Sequence, residues 1–376
     1  MQISIVVTDG DKRLHYDDEA SSRISALGNL SFAVGPYRSP SESNSLLLQM
    51  TENCPWNKCG FCGMYKGKKF KLRSVGEIKA DVDTIKVIDD AIVDTSHALG
   101  FGGTVNDEVV IAMISMNHDL RFSEAYHMVL RWRTSEHKTA FIQDADSMIM
   151  RADEFIEAGR YLRGTMQDIG RLTTYARSQT VYARRDSLSD ISPWLERLHI
   201  GLETGDPELL RLIYKVRGSL PDDVQITAGK LAKAAGFEVS EYYMPGLGGR
   251  EMLEQHAVNT ARAINEIDPH YVRLRPYSSG YPGSPHSSAF ADGTLSDTSR
   301  LDKLREIELL VANLDEFDGN FCFDHAGCAF ADGNGGLLFP WHYEGFKFPE
   351  QKGYVLERLQ AGLEASEEQH LRMLRG

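Results

Sequence analysis

Three of the chain's five cysteines lie within nine residues, in the stretch Cys54-Pro-Trp-Asn-Lys-Cys59-Gly-Phe-Cys62. This spacing argues against disulfides, because bridges between near neighbours close small loops that constrain little and because three is an odd number. Clustered thiolates are soft ligands for zinc or for iron–sulfur clusters. A closed zinc site takes four ligands, and no Cys or His follows at the usual finger spacing. Three thiolates instead fit a [4Fe–4S] cluster in which the protein holds three irons and leaves the fourth open.

The same loop resembles that of a known superfamily. An aromatic residue, Phe61, stands directly before the last cysteine, as in radical S-adenosylmethionine (SAM) proteins, although the usual spacing there is C-x3-C-x2-C. A subgroup of Fe–S oxidoreductases without an assigned reaction shares the longer C-x4-C-x2-C loop, in a sequence close to TENCPWNKCGFCGMYKGKKF. The resemblance implies that Cys54, Cys59 and Cys62 hold three irons of one [4Fe–4S] cluster and that Phe61 contacts the cofactor.

Length and composition limit the classes of protein to consider. The chain has 376 residues, 42% of them hydrophobic, which is enough to bury one large core or two smaller ones. The net charge of −13 argues against a nucleic-acid or membrane-surface binder, since both prefer a basic face. No apolar run is long enough to span a bilayer, and the N-terminal sequence lacks the pattern of a signal peptide. With free cysteine ligands, this predicts a cytoplasmic protein.

Segments that predict strands alternate with helical segments from residue 45 onward. The apolar run 45–50 predicts a buried parallel strand that leads directly into the cysteine loop, and (βα) barrels place active sites on such loops. Further strands are predicted at 139–143, 171–177, 198–203, 237–244 and 271–276. Six strand–helix repeats without a closing pair fit the partial (βα)6 TIM-type barrel, an α/β fold, that the resemblance implies.

The rest of the chain completes the predicted domain organisation. We expect residues 1–44 to form an N-terminal extension, 45–290 the barrel core and 291–376 an α-rich C-terminal capping segment. Within the core, 91–137 predicts a helical insertion, because the gap before the next strand is far longer than an ordinary crossover. We expect this insertion to reach over the open end of the barrel as a lid. Packing on the outside of the barrel, as a dimer surface, is the alternative.

Polar residues at the ends of three predicted strands match positions that contact SAM in the superfamily. Asp144 and Asp146 stand where a Gly-Gly-Glu motif usually holds the amino group of methionine, and one of them is expected to take that role. The alternative is a helix N-cap for residue 148 onward. Glu203, in a Gly-Leu-Glu-Thr-Gly motif, is implied to contact the ribose. Arg177 is expected to pair with the SAM carboxylate, or else to form a surface ion pair.

Two later pairs of residues concern the ligands. Gly246 and Gly248 follow the fifth strand, and the resemblance places this loop beside the adenine, where glycines allow a close backbone approach. Side chains alternate between the two faces of a strand, so Arg273 and Arg275 lie on the same face of the sixth strand. If that face lines the barrel, the guanidiniums imply an anionic substrate group; if it faces outward, they are surface charge.

Taken together, the resemblance implies a radical SAM enzyme. A reduced cluster cleaves SAM to a 5′-deoxyadenosyl radical, which abstracts hydrogen from a small or medium, anionic substrate, and flavodoxin or ferredoxin supplies the electron. The reaction that follows is not contained in these motifs. Two alternatives stay open: an electron-transfer or cluster-carrier protein without SAM chemistry, and a zinc-stabilised barrel that binds a ligand. Cys322 and Cys328 are too few for a second cluster without His325 and are expected to be buried free thiols.

Overall fold

The computed structural model describes residues 2–8, 11–215, 220–221, 223–278 and 285–374. Its centre is an eight-stranded, mostly parallel sheet in which each strand pairs with its neighbours along the chain. The segments beside the two edge strands meet, with the hydroxyls of Ser43 and Tyr343 3.5 Å apart. The sheet is therefore curled into an open barrel, which confirms the predicted α/β class.

The first part of the chain forms a hairpin and a helix and then alternates strands with helices up to the fourth strand of the large sheet. In chain order, its elements are β1 (Ile3–Thr8), β2 (Asp11–Tyr16), α1 (Asp18–Leu27), β3 (Leu46–Gln49), β4 (Thr51–Glu52), β5 (Lys71–Leu72), α2 (Val75–Ala98), α3 (Asp107–Met116), α4 (Glu124–Thr134), β6 (Ala140–Gln143), α5 (Ala152–Thr165), β7 (Leu172–Ala176), α6 (Ser178–Ala183), α7 (Leu188–Ile191) and β8 (Arg197–Glu203).

The remaining elements complete the sheet and its outer layer. They are α8 (Pro207–Leu212), α9 (Val224–Ala234), β9 (Glu238–Tyr243), α10 (Leu253–Ile267), β10 (Tyr271–Leu274), α11 (Pro285–Ala291), α12 (Arg300–Ala312), β11 (Asn320–Cys322), β12 (Phe346–Lys347), α13 (Lys352–Leu363) and α14 (Glu367–Met373).

The sheet is larger than the sequence predicted. Strands β3, β6, β7, β8, β9, β10 and β11 run parallel in this order, and β12 joins the edge antiparallel to β11. The first six are the predicted strands. The other two come from the C-terminal segment, so the prediction that the barrel ends near residue 290 is wrong. Short strands of two or three residues give too little periodicity to be recognised in a sequence.

Each central strand is buried on both faces, because helices cover one face and the barrel interior the other. Every residue of β3 and β6 is buried. Apolar side chains such as Leu48 and Ile142 face α2, α4 and α5 in one continuous core. Polar and aromatic side chains, including His199, Tyr242 and Arg273, alternate with them along the strands and point into the barrel. The chemistry-bearing residues therefore lie inside the barrel or on the loops at its carboxyl edge.

The segment before β3 enters the barrel. Glu42 is fully buried, with Oε1 3.1 Å from Arg171 Nη2 and 3.5 Å from His199 Nε2. Burial opposes its ionisation, but His199 and Arg171 outweigh that effect and lower the pKa of Glu42 to about 2. Residues near Glu42 therefore close the amino end of the barrel, so the part of the predicted extension after α1 belongs to the core.

The predicted insertion lies outside the sheet. Helix α2 begins at a capping box formed by Ser74 and Glu77 and continues to Ala98, which includes the first residues assigned to the insertion. Helices α3 and α4 pack on α2, and α4 also contacts β3. Buried side chains such as Met113 and Trp132 join the outer core. These contacts match the alternative of packing on the outside of the barrel, and the lid over its open end stays a prediction.

In the described part of the chain, no helix is long and apolar enough to cross a bilayer.

Candidate cofactor site

The cysteine loop leaves the carboxyl edge of the sheet through β3 and β4. Cys59 is buried, Cys54 and Cys62 are partly exposed, and all three thiols are free. The backbone N–H of Asn57 donates to Cys54 Sγ at 3.2 Å, and the Asn57 side chain donates to the carbonyl of Tyr65 at 2.5 Å. The loop is therefore folded back on itself, with its three sulfur atoms unbridged.

Asp144 fastens this loop to the sheet. It follows β6, is almost fully buried, and adopts the left-handed conformation with φ +73°. Its Oδ1 accepts from Tyr65 Oη at 2.9 Å, and its Oδ2 accepts from Gln49 Nε2 at 2.7 Å and from the Asn53 N–H at 2.9 Å. Both oxygens already have protein donors, so the role of Asp144 at the SAM amino group stays a prediction.

Asp146 faces a different element. It is fully buried, and its carboxylate accepts from Thr180 Oγ1 at 2.5 Å and from the Arg177 N–H at 3.4 Å, at the start of α6. Burial raises the pKa of Asp146 to about 6. The alternative, a side-chain N-cap for residue 148 onward, is wrong, because Asp146 makes no capping bond to the following turn and Ser147 Oγ donates to the Gln143 carbonyl. Instead, Asp146 anchors the loop that carries Arg177.

Glu203 forms a buried ion pair that the sequence did not predict. It ends β8 in the left-handed conformation, with φ +63°, and its Oε1 lies 2.9 Å from Lys215 Nζ. Burial alone would lower the pKa of Lys215, but Glu203 and Cys59 raise it above its ordinary value, so the ammonium stays charged. Lys215 lies in no recognisable motif, and nothing in the sequence distinguishes it from a surface lysine.

Arg177 lies against the cysteine loop, as the predicted ligand role requires. Its guanidinium stacks over the Trp56 ring at 4.9 Å and donates to the Lys215 carbonyl at 3.2 Å. Burial raises the pKa of the Cys59 thiol, whereas Lys215 and Arg177 act in the opposite direction. The loop is thus bordered by two cations that favour thiolate, and Arg177 pairs with no carboxylate in the part of the chain that the structure describes.

The remaining predicted cofactor residues have protein neighbours. Phe61 packs beside Leu209 and Ile213 in a small apolar cluster. Gly246 has φ +87°, and a Cβ there would come within 2.6 Å of the Lys303 side chain. A Cβ on Gly248 would meet the Cβ of Met252 at 2.8 Å. Close packing within the protein therefore explains both glycines, and their contact with adenine stays a prediction.

Arg273 and Arg275 point into the barrel, as one of the two interpretations required. Both donate to Asp324, at 2.5 and 2.9 Å respectively, and Arg275 also lies over the Tyr242 ring. Asp324 follows β11 and is almost fully buried. Sequence reasoning missed it because it lies in a segment whose short strand could not be recognised. One carboxylate against two guanidiniums leaves one positive charge at this level of the barrel.

Cys322 and Cys328 are buried, as predicted, and neither forms a disulfide. Burial raises the pKa of each to about 12. Within the described residues, no three His, Cys, Asp or Glu side chains converge on one metal ion. A [4Fe–4S] cluster makes a different demand, since each of its thiolates binds a separate iron. Three free cysteines on one loop, beside two cations, fit that donor set.

Comparison with known proteins gives similarity to solved structures only. No family model matches the sequence, and no curated protein matches it. The solved structures include an N-terminally truncated Elp3 from the archaeon Methanocaldococcus infernus, with 15% identity over 59% of this chain and 53% of that chain, at a TM-score of 0.39. Another is the radical SAM methyltransferase TsrM from Kitasatospora setae, with cobalamin and a [4Fe–4S] cluster, at 12% identity, 66% and 39% coverage, and TM-score 0.40.

A third is coproporphyrinogen III oxidase (HemN) from Escherichia coli, described as a radical SAM enzyme, at 14% identity and TM-score 0.46. It is matched over 80% of this chain and 56% of that chain, so the chain spans less than two thirds of each of these three structures. Two of the three belong by description to the superfamily that the cysteine loop resembles. At these identities and scores, the likeness says nothing about which reaction is catalysed.

Proposed function

We propose that this chain is a radical SAM enzyme in which Cys54, Cys59 and Cys62 hold a [4Fe–4S] cluster. The observation that carries the proposal is the convergence of these free cysteines with Arg177 and the Lys215–Glu203 pair at the carboxyl edge of a parallel barrel. When bound, the cluster supplies the electron that cleaves SAM, and the resulting 5′-deoxyadenosyl radical abstracts hydrogen from the substrate.

The protein's own residues would bind and orient these groups. Lys215 and Arg177 offset the negative charge of the thiolates in a partly buried site. Glu203 is the proposed acceptor for the ribose hydroxyls, and its pairing with Lys215 fixes the carboxylate in place. Arg177 is the proposed partner of the SAM carboxylate.

The proposed substrate is a small or medium, anionic molecule bound inside the barrel. The support is the single positive charge left where Arg273 and Arg275 share Asp324. A substrate anion there would restore neutrality in a buried region, where an uncompensated charge is costly. The proposed electron donor is a cytoplasmic flavodoxin or ferredoxin.

Anaerobic reconstitution with iron and sulfide tests the assignment. We expect a brown protein whose reduced form shows the electron paramagnetic resonance of a [4Fe–4S] cluster and which releases 5′-deoxyadenosine from SAM. Replacing any loop cysteine by alanine should abolish both signals. Cys322→Ala is the matched control, since this free cysteine lies in β11, and it should retain both. A cluster without SAM cleavage would instead favour the electron-transfer or carrier protein.

The ribose contact can be tested separately. Losing a hydrogen bond to a charged group costs about 1.5–3 kcal/mol, so Glu203→Ala should weaken SAM binding roughly ten- to a hundredfold. Binding is measured on the reconstituted protein by the change that SAM causes in the cluster's resonance spectrum. Unchanged SAM affinity at full iron content would remove Glu203 from the SAM site.

A further inference from the structure

The carboxylate of Asp144 joins both arms of the cysteine loop to the sheet. Asn53 directly precedes Cys54, and its backbone N–H donates to Oδ2. Tyr65 lies three residues after Cys62, and its hydroxyl donates to Oδ1. The third donor, Gln49, belongs to β3 beneath the loop. One side chain thus attaches both arms of the loop to the end of β6.

The other contacts that hold the loop lie nearer its middle. Trp56 Nε1 donates to the Tyr214 carbonyl at 3.0 Å, and the Gly60 N–H donates to the Ile213 carbonyl at 2.6 Å. These bonds fix the central residues against the segment after α8. The two arms, which carry Cys54 and Cys62, are joined to each other by the β4–β5 pair, by Asn53 Nδ2 donating to the Lys69 carbonyl at 2.8 Å and by the Asn57 side chain donating to the Tyr65 carbonyl. Asp144 is the side chain that attaches both joined arms to the end of β6.

The surroundings of Asp144 hold the carboxylate itself in one orientation. A Cβ on Gly35 would come within 2.8 Å of Oδ1, so the preceding segment packs directly against it. The adjacent Gln143 side chain pairs with the backbone of Gly35, accepting at 2.7 Å and donating at 2.8 Å. The ring of Tyr37 packs edge-on to that of Tyr65 at 5.5 Å. The carboxylate therefore has little freedom to turn toward another ligand.

We infer that Asp144 is a positioning residue: acting through Tyr65 and Asn53, it holds the two arms that carry Cys54 and Cys62 against the end of β6 before any metal binds. This inference rests on the proposed function, since it is a cluster that requires thiolates at fixed positions. The attachment of both arms of the loop by Asp144 is present in the metal-free protein as well. The three donors to Asp144 also assign it to the loop rather than to the amino group of SAM.

Thiol alkylation of the metal-free protein tests the inference without any cluster. Asp144→Asn and Tyr65→Phe each weaken the attachment, and a hydrogen bond to a carboxylate is worth about 1.5–3 kcal/mol. We expect iodoacetamide to modify Cys54 and Cys62 faster in both variants, by at most roughly ten- to a hundredfold, because both thiols are already partly exposed in the wild type. The rates are read at each cysteine by peptide mass spectrometry. Buried Cys322 serves as the internal reference for intact folding, and its rate should not change.

The matched control is Asp89→Asn. Asp89 is also a buried aspartate, but it lies on α2 and pairs with Arg133 in the outer layer. This variant should lose stability without changing the alkylation rates of the loop cysteines. Equal rates at Cys54 and Cys62 in wild type, Asp144→Asn and Tyr65→Phe would overturn the inference, as would equal acceleration in Asp89→Asn.

A second measurement separates this inference from the proposed function. After reconstitution, both loop variants should lose iron to a chelator faster than wild type, while the fraction still loaded binds SAM with normal affinity. If Asp144 were a SAM ligand instead, Asp144→Asn would keep its iron but bind SAM weakly, and Tyr65→Phe would behave as wild type. A wild-type protein that takes up no cluster would refute the proposed function, whereas the alkylation result would still decide the role of Asp144.

Discussion

Lys215 and Glu203 should be the most strongly coupled ion pair beside the site. Their charged atoms are 2.9 Å apart, and the side chains are only 7% and 12% exposed. At an effective dielectric constant of about 20, the attraction at this distance is about 6 kcal/mol. Burial has already cost both ions their hydration, so removing one partner leaves the other charge uncompensated. Lys215→Met should therefore lower the free energy of unfolding by about 3–5 kcal/mol.

Lys71 and Glu52 provide a matched control at the same separation. Their charged atoms are also 2.9 Å apart, but the side chains are 52% and 37% exposed, so solvent screens the attraction. Lys71→Met should have little effect. Combining Lys215→Met with Glu203→Gln should recover at least about 1 kcal/mol, because no buried charge is then left alone. Urea unfolding of the metal-free protein under reducing conditions measures all of these variants. Equal losses for Lys215→Met and Lys71→Met would refute the reasoning.

Three further outcomes follow from the described contacts. Asp324→Asn should lower the free energy of unfolding by about 3–5 kcal/mol, because it leaves the guanidiniums of Arg273 and Arg275 buried without a carboxylate. A loss below about 1 kcal/mol in urea unfolding would contradict this. Trp132→Ala should cost about 3–5 kcal/mol in the same assay while leaving the iron content of the folded protein unchanged, since this buried ring lies on α4 in the outer core. Burial raises the pKa of Asp146 from 3.8 to about 6. The stability that the folded state gains from a protonated Asp146 is therefore full below pH 3.8 and is lost as the pH rises through 6. Asp146→Asn should flatten the plot of unfolding free energy against pH in this window, and an unchanged slope would count against the raised pKa.

The sequence predicted the parts of the fold whose signals are local. Apolar runs located β3 and β6, and the cysteine spacing located the loop. What it could not show is which polar residues turn toward one another, because those contacts join segments far apart in the chain. Lys215 meets Glu203 twelve positions away, and Asp324 meets Arg273 fifty-one positions away. The packing of α3 and α4 on α2 could not be predicted for a related reason: an amphipathic helix reveals that it has a buried face but not which surface of the protein that face covers.

The cysteine loop is held by the ends of successive strands as well as by bonds among its own residues. Asp144 follows β6, Arg177 follows β7, and the segment containing Ile213 and Tyr214 follows β8. Asp144 contacts Asn53 and Tyr65, and Arg177 contacts Trp56. The third segment contacts Trp56 and Gly60. These strand ends come together only when the parallel sheet has assembled, so the loop cannot reach this conformation in an isolated peptide. A fixed arrangement of three thiolates is therefore a product of the whole barrel, and it would bind a preformed cluster at a lower entropic cost than a flexible loop would.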